Sequence, residues 1–76
     1  MIDSHYKVSL TFLEATRKLA NLLDSSQATK YSAHLDRLES NLGLAYEANN
    51  TQDLLSSCKE LIAIGETLVA IHRNGQ

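Results

Sequence analysis

Cysteine and histidine are the residues of this chain best able to do chemistry, and their spacing works against each familiar arrangement. The single cysteine, Cys58, shares a helical stripe with His72, a pairing that a thiol nucleophile and its base would need. Along one helix the two stand roughly 21 Å apart, so they do not meet within one chain. His5 or His34 would reach Cys58 only from another helix, which spacing alone does not establish. A lone cysteine in a helical seam acts as a small buried hydrophobe. The histidines at 5, 34 and 72 form no zinc pattern with neighbouring acids. Glu14, Glu39, Glu60 and Glu66 lack the Glu-x-x-His spacing of di-iron bundles. No glycine-rich phosphate loop is present. The expectation is a non-enzyme without catalytic residues, metal or cofactor.

Charge narrows the partners. Seven Lys and Arg against nine Asp and Glu leave a formal charge of −2. Arg17 and Lys18 are adjacent, and Lys30 and Arg37 share a helical face, but Asp36 and Glu39 sit beside Arg37. That is a weak basic footprint, so nucleic acid is an unfavoured partner. One cysteine makes no internal disulfide, which fits a reducing compartment. The N-terminus has no basic region followed by a continuous apolar one, and Leu61 to Ile71 is too short and too polar to span a bilayer. A cytoplasmic setting without membrane contact is expected.

The elements that must position these residues are helices. Val8, Phe12, Ala15, Leu19 and Leu22 step by four and three. Ala28, Tyr31, Leu35, Leu38, Leu42 and Ala45 repeat the rhythm, as do Leu54, Cys58, Leu61, Gly65, Leu68 and His72. Each set defines one stripe of an α-helix, and the phase fails between sets. Asp24 with Gln27 has capping-box spacing, which predicts a turn near 24–26. Asn49-Asn50-Thr51 supplies a terminator and a cap, Asp53 suits the positive end of the next helix, and Asn74-Gly75 is a stop. With Asp3 or Ser4 capping the first, the helices should cover about 4–23, 26–48 and 51–73. Matched lengths and short links predict one all-α domain over 1–76, an antiparallel up-down-up three-helix bundle, possible to complete by dimerisation. Fusion of the first two helices into one rod is the alternative, because the linking residues include neither Gly nor Pro. A chain of 76 residues buries only about 60–65% of its unfolded surface, so association would add needed stability.

Two helices carry more apolar surface than one seam requires. The third adds Leu55, Ile62 and Val69, spaced by seven, and on another flank Ile64 and Ile71 beside Ala63 and Ala70. Either it is wedged between the other two or part of it faces a partner. The first adds Leu10, Leu13 and Ala20. Gly65 lies in a seam, where a missing Cβ lets another backbone approach. Leu42-Gly43-Leu44-Ala45-Tyr46, the Asn50 turn, Leu55 and Ile62 resemble one tetratricopeptide unit over about 34 residues from Asp36. In that family the leucine, glycine and tyrosine pack against small residues of the following helix. Here Leu55 and Ile62 are large, Lys59 replaces an aromatic and the pattern occurs once, so the resemblance implies a helical hairpin and not membership.

The function expected is a small protein–protein interaction module of adaptor, chaperone or inhibitor type. It would use apolar faces to form a homo-oligomer, a dimer first of all, or to hold another helical protein. The contact residues expected are Leu10, Ile64, Leu68 and Ile71. The alternative is a small-molecule or nucleotide-binding protein with a pocket lined by Tyr31, His34, Arg37 and Tyr46. A weaker alternative is a DNA-associated regulator.

Overall fold

The computed structural model describes residues 2–74, which form three helices: α1 (Ile2–Asn21), α2 (Ser25–Glu47) and α3 (Thr51–Asn74). The junctions follow from local chemistry. Asp24 is extended (φ −62°, ψ 162°), and its Oδ1 accepts the Gln27 N–H at 2.9 Å, capping α2 as its spacing predicts. At the other end Asn49 takes a left-handed conformation (φ 53°) that asparagine tolerates better than most residues. The Asn50 N–H then bonds the Ala45 carbonyl at 2.8 Å and the Asn49 N–H bonds that of Tyr46 at 3.0 Å, a Schellman stop. Asn50 immediately caps α3: its Oδ1 accepts from the Asp53 N–H at 3.1 Å while its Nδ2 donates to the Asp53 carboxylate at 2.9 Å.

Two boundary expectations change. Neither Asp3 nor Ser4 caps α1, because the helix already includes Ile2. Asp3 sits in the first turn, where a carboxylate suits the helix dipole, and accepts the Tyr46 hydroxyl. The exit of α1 comes two residues earlier than expected. Leu22 and Leu23 donate to Leu19 and Ala20 (both 3.1 Å), a tight 3₁₀-type turn that frees Asp24 for its cap. Helices α1 and α2 are separate, not one rod. The Asn74-Gly75 stop falls partly outside the described residues.

Cross-links between side chains establish the up-down-up order. Tyr46, late in α2, stacks on Tyr6, early in α1, with centroids 4.2 Å apart and planes 5° from parallel. Arg17 bonds Asp36 and Glu39 of α2 at 2.7 and 2.9 Å. These pairs make α1 and α2 antiparallel. Ser9 meets Cys58 at 2.7 Å, and the His72 ring nitrogen meets the Leu19 carbonyl at 3.1 Å, so α1 and α3 run parallel. A carbonyl only accepts, so His72 carries its proton on Nε2 and caps the C-terminal turn of α1.

The core joins Leu13 and Ala20 to Leu35, Leu38, Leu42 and Ala45 of α2 and to Leu54, Leu61, Ile64 and Leu68 of α3. The stripes expected for α2 and α3 face inward. The α1 stripe does so only at Leu19, which packs against the core. Val8 and Leu22 are 69% and 72% exposed and Phe12 is 41% exposed, whereas Ser9, Leu13, Thr16 and Ala20 are buried. With Ile2, Tyr6 and Leu23 packed on the core, the inward seam of α1 is Ile2, Tyr6, Ser9, Leu13, Thr16, Ala20 and Leu23. It also steps by four and three, but lies one residue, about 100°, around the helix from the expected one. The structure buries the more polar of two parallel seams. It can do so because the Ser9 and Thr16 hydroxyls donate to their own helix, to the carbonyls of His5 and Phe12 (2.7 Å each), and leave nothing unsatisfied.

Candidate functional site

With its more apolar seam turned outward, α1 forms one wall of a groove whose other wall is α3. Leu55, Ile62 and Val69 stand on the outer face of α3, between 40% and 49% exposed. Spacing by seven keeps them on one line, and the parallel run of α1 and α3 sets that line beside Val8, Phe12, Ala15 and Leu19. Phe12 and Ile62 divide the groove into two clefts and belong to both. The first, about 370 Å³, lies among Val8, Phe12, Leu55, Cys58 and Ile62. The second continues past Ala15, Leu19, Gly65 and Val69 to Arg73. A further shallow cleft beside Ala15, Leu19 and Leu22 prolongs the apolar surface around α1.

Gly65 makes the middle of this groove possible. It is buried in α3, and the edge of the Phe12 ring occupies the space beside it, so that a Cβ there would lie 3.1 Å from Phe12 Cζ. The neighbour admitted by the missing Cβ is therefore a ring, not a second backbone as expected.

Polar groups in the groove are few. Ser9 gives its one hydroxyl proton to His5, so its oxygen accepts from the Cys58 thiol across the α1–α3 seam. Cys58 is half-buried, and this bond links the helices along the wall of the first cleft. Among the described residues no three His, Cys, Asp or Glu side chains gather as a metal site would require. The rim is charged: Lys59, Glu66 and Arg73, spaced by seven, are exposed on α3 beside the apolar line.

The residues expected to meet a partner fall elsewhere. Ile64 and Leu68 are in the bundle core, Ile71 packs against it and Leu10 is half-buried on α1. The surplus apolar character of α3 thus divides, with Ile64 and Ile71 serving the core and Leu55, Ile62 and Val69 left outside. The residues expected to line a pocket do not converge. Tyr31 and Tyr46 are both on α2, where a rise of 1.5 Å per residue separates them by roughly 22 Å. Tyr31 packs on the core and has the Lys30 ammonium 5.7 Å from its ring centre. His34 is half-buried and Arg37 exposed. Tyr46 is held by Tyr6 and Asp3, and its hydrogen bond to that carboxylate, with the adjacent negative charge, holds the phenol above its ordinary pKa of 10.0.

Reasoning from sequence missed Val8, Phe12 and Leu22 as surface residues. The signal available was the second four-three seam one residue further on, from Ile2 to Leu23. No helix among the described residues is long and apolar enough to cross a membrane. No protein family, curated protein or solved structure matches the chain.

Proposed function

We propose that this chain is a non-catalytic protein–protein interaction module of the cytoplasm whose working surface is the α1–α3 groove. One observation carries the reading: the more apolar seam of α1 faces outward and continues into the Leu55–Ile62–Val69 line of α3. Six apolar residues of these two rows, Val8, Phe12, Leu22, Leu55, Ile62 and Val69, are each at least 40% exposed, and contiguous exposed apolar surface marks interaction sites. A helical partner laid along the groove would interdigitate with both rows. Engagement of Arg17 by Asp36 and Glu39 removes a cation from the basic footprint and weighs against nucleic acid.

The test is cross-linking in the source cell, comparing the wild type with a Phe12→Asp/Ile62→Asp variant whose helicity is checked by circular dichroism. The proposal expects the folded variant to lose every cross-linked complex that the wild type makes, with itself or with another protein. Complexes unchanged by the variant would contradict it.

The first cleft supports a second reading. Its volume of about 370 Å³ is within the range of small-molecule sites, and its apolar walls select an aliphatic or aromatic ligand over a nucleotide. Such a ligand, binding only the folded chain, would raise its melting temperature, by more the tighter it binds and the higher its concentration.

A further inference from the structure

We infer that the occupant of the groove is a second copy of this chain, packed face to face about a two-fold axis at the height of Phe12 and Ile62. In this arrangement α1 lies antiparallel on its copy and α3 on its copy. The inference rests on the reading of the groove as an association surface and names the partner that covers it.

Three observations lead there. The first is periodicity. Val8, Phe12, Ala15, Leu19 and Leu22 keep a strict four-three alternation over two full heptads, and Leu55, Ile62 and Val69 keep a strict seven. A 3.5-residue period suits side-by-side helices in knobs-into-holes contact. A second copy brings two helices with this same period.

Area is the second. A standard interface takes about 800 Å² from each partner. The exposed apolar residues form the centre of such a patch, with Ala15, Ala70 and the charged rim exposed around them.

The third is charge. The α3 rim reads Lys59, Glu66, Arg73, positive, negative, positive, at one spacing. A two-fold axis between residues 62 and 63 sets Lys59 of one copy opposite Glu66 of the other, and the same operator makes the reciprocal pair. Sliding the axis to residue 66 would set Glu66 against itself and Lys59 against Arg73. An axis between residues 69 and 70 would also pair opposite charges, Glu66 with Arg73, but would overlap only residues 65–74 of α3 and leave Leu55 and Ile62 uncovered. Charge and overlap together select the register centred near Ile62, while the apolar rows supply affinity.

The experiment is light scattering after size exclusion over about a hundredfold concentration range, on the wild type, Lys59→Glu, Glu66→Lys and the double exchange. Each of these positions is exposed, so all four chains should fold, which circular dichroism checks. The expected result is a wild-type mass rising from 8.4 kDa toward twice that value. Either single reversal, which replaces two attractions with two repulsions, should weaken the dimer about tenfold, and the double exchange should restore it. A wild type that stays monomeric would overturn the second copy. The groove reading would then stand or fall separately, on whether Phe12→Asp/Ile62→Asp abolishes cross-linked complexes. A dimer indifferent to the single reversals, or not restored by the double exchange, would overturn the proposed register.

Discussion

The ring of Phe12 rests against Gly65, occupying space in which a Cβ would meet Cζ at 3.1 Å and Cε1 at 3.2 Å. A glycine inside a helix costs about 1 kcal/mol relative to alanine. Here that cost is offset by a seat for the largest side chain of the groove. The contact couples the outward seam of α1 to the inward seam of α3, so groove and core share one residue.

Gly65→Ala sets the helix-propensity gain against a displacement of the ring by a few tenths of an ångström. Because Phe12 is exposed on its other side, the ring has room to swing outward. Urea unfolding at low protein concentration should therefore show stability within about 1 kcal/mol of wild type. A larger side chain such as Leu should overpack the site and cost about 1–3 kcal/mol.

The inverted seam of α1 separates neighbouring positions sharply. Leu13→Ala removes a fully buried side chain and should cost about 2–5 kcal/mol. Val8→Ala, measured at a concentration too low for association, should stay within about 0.5 kcal/mol. Thr16→Val should cost almost nothing, because the hydroxyl it removes bonds only its own helix at the Phe12 carbonyl. The reverse ranking of Leu13 and Val8 in urea titrations would restore the seam that apolar content alone points to.

The α2–α3 junction is adjustable. Asn49 has positive φ, so Asn49→Gly should stabilise by a few tenths of a kcal/mol and Asn49→Ala should destabilise by about 1 kcal/mol. Asp24→Ala, which deletes the α2 cap, should cost about 1 kcal/mol. Thermal unfolding of the three variants side by side checks both claims.

Alkaline pH should loosen the α1–α2 contact through Tyr46. The hydrogen bond to the Asp3 carboxylate, reinforced by its charge, raises the phenol pKa above the unfolded value of about 10. A group whose folded pKa is raised adds stability that is complete below the unfolded pKa and is lost as pH rises through the folded one. The contribution is therefore constant at neutral pH and disappears above about pH 10. Tyrosinate absorbance should show a late-titrating phenol that moves down in Asp3→Ala.

What the sequence made legible depended on whether the richer apolar stripe was also the inward one. In α2 and α3 it was, so Leu35, Leu38, Leu42, Leu54 and Leu61 face inward as their spacing predicts, and Asp24, Asn49 and Asn50 mark the junctions by their own chemistry. Leu68, expected to meet a partner, is in the core. In α1 the two seams differ by one residue, and the inward one carries Ser9, Thr16 and Ala20. Hydrophobicity favours the wrong one, because a hydroxyl satisfied by its own helix is cheap to bury. The Leu55–Ile62–Val69 half of the groove was legible from spacing by seven. Its α1 half is hidden, because the four-three spacing of Val8, Phe12, Ala15, Leu19 and Leu22 reads equally well as a core-facing seam.

The most direct measurement pairs circular dichroism with sedimentation velocity on the wild type and a Val8→Asp/Ile62→Asp variant across the same concentrations. Carboxylates on an outward groove should leave the helical signal and unfolding midpoint of the isolated chain near wild type while abolishing all association. A variant that unfolds would place Val8 and Ile62 in the core, and one that folds and associates like the wild type would remove the groove as the binding surface.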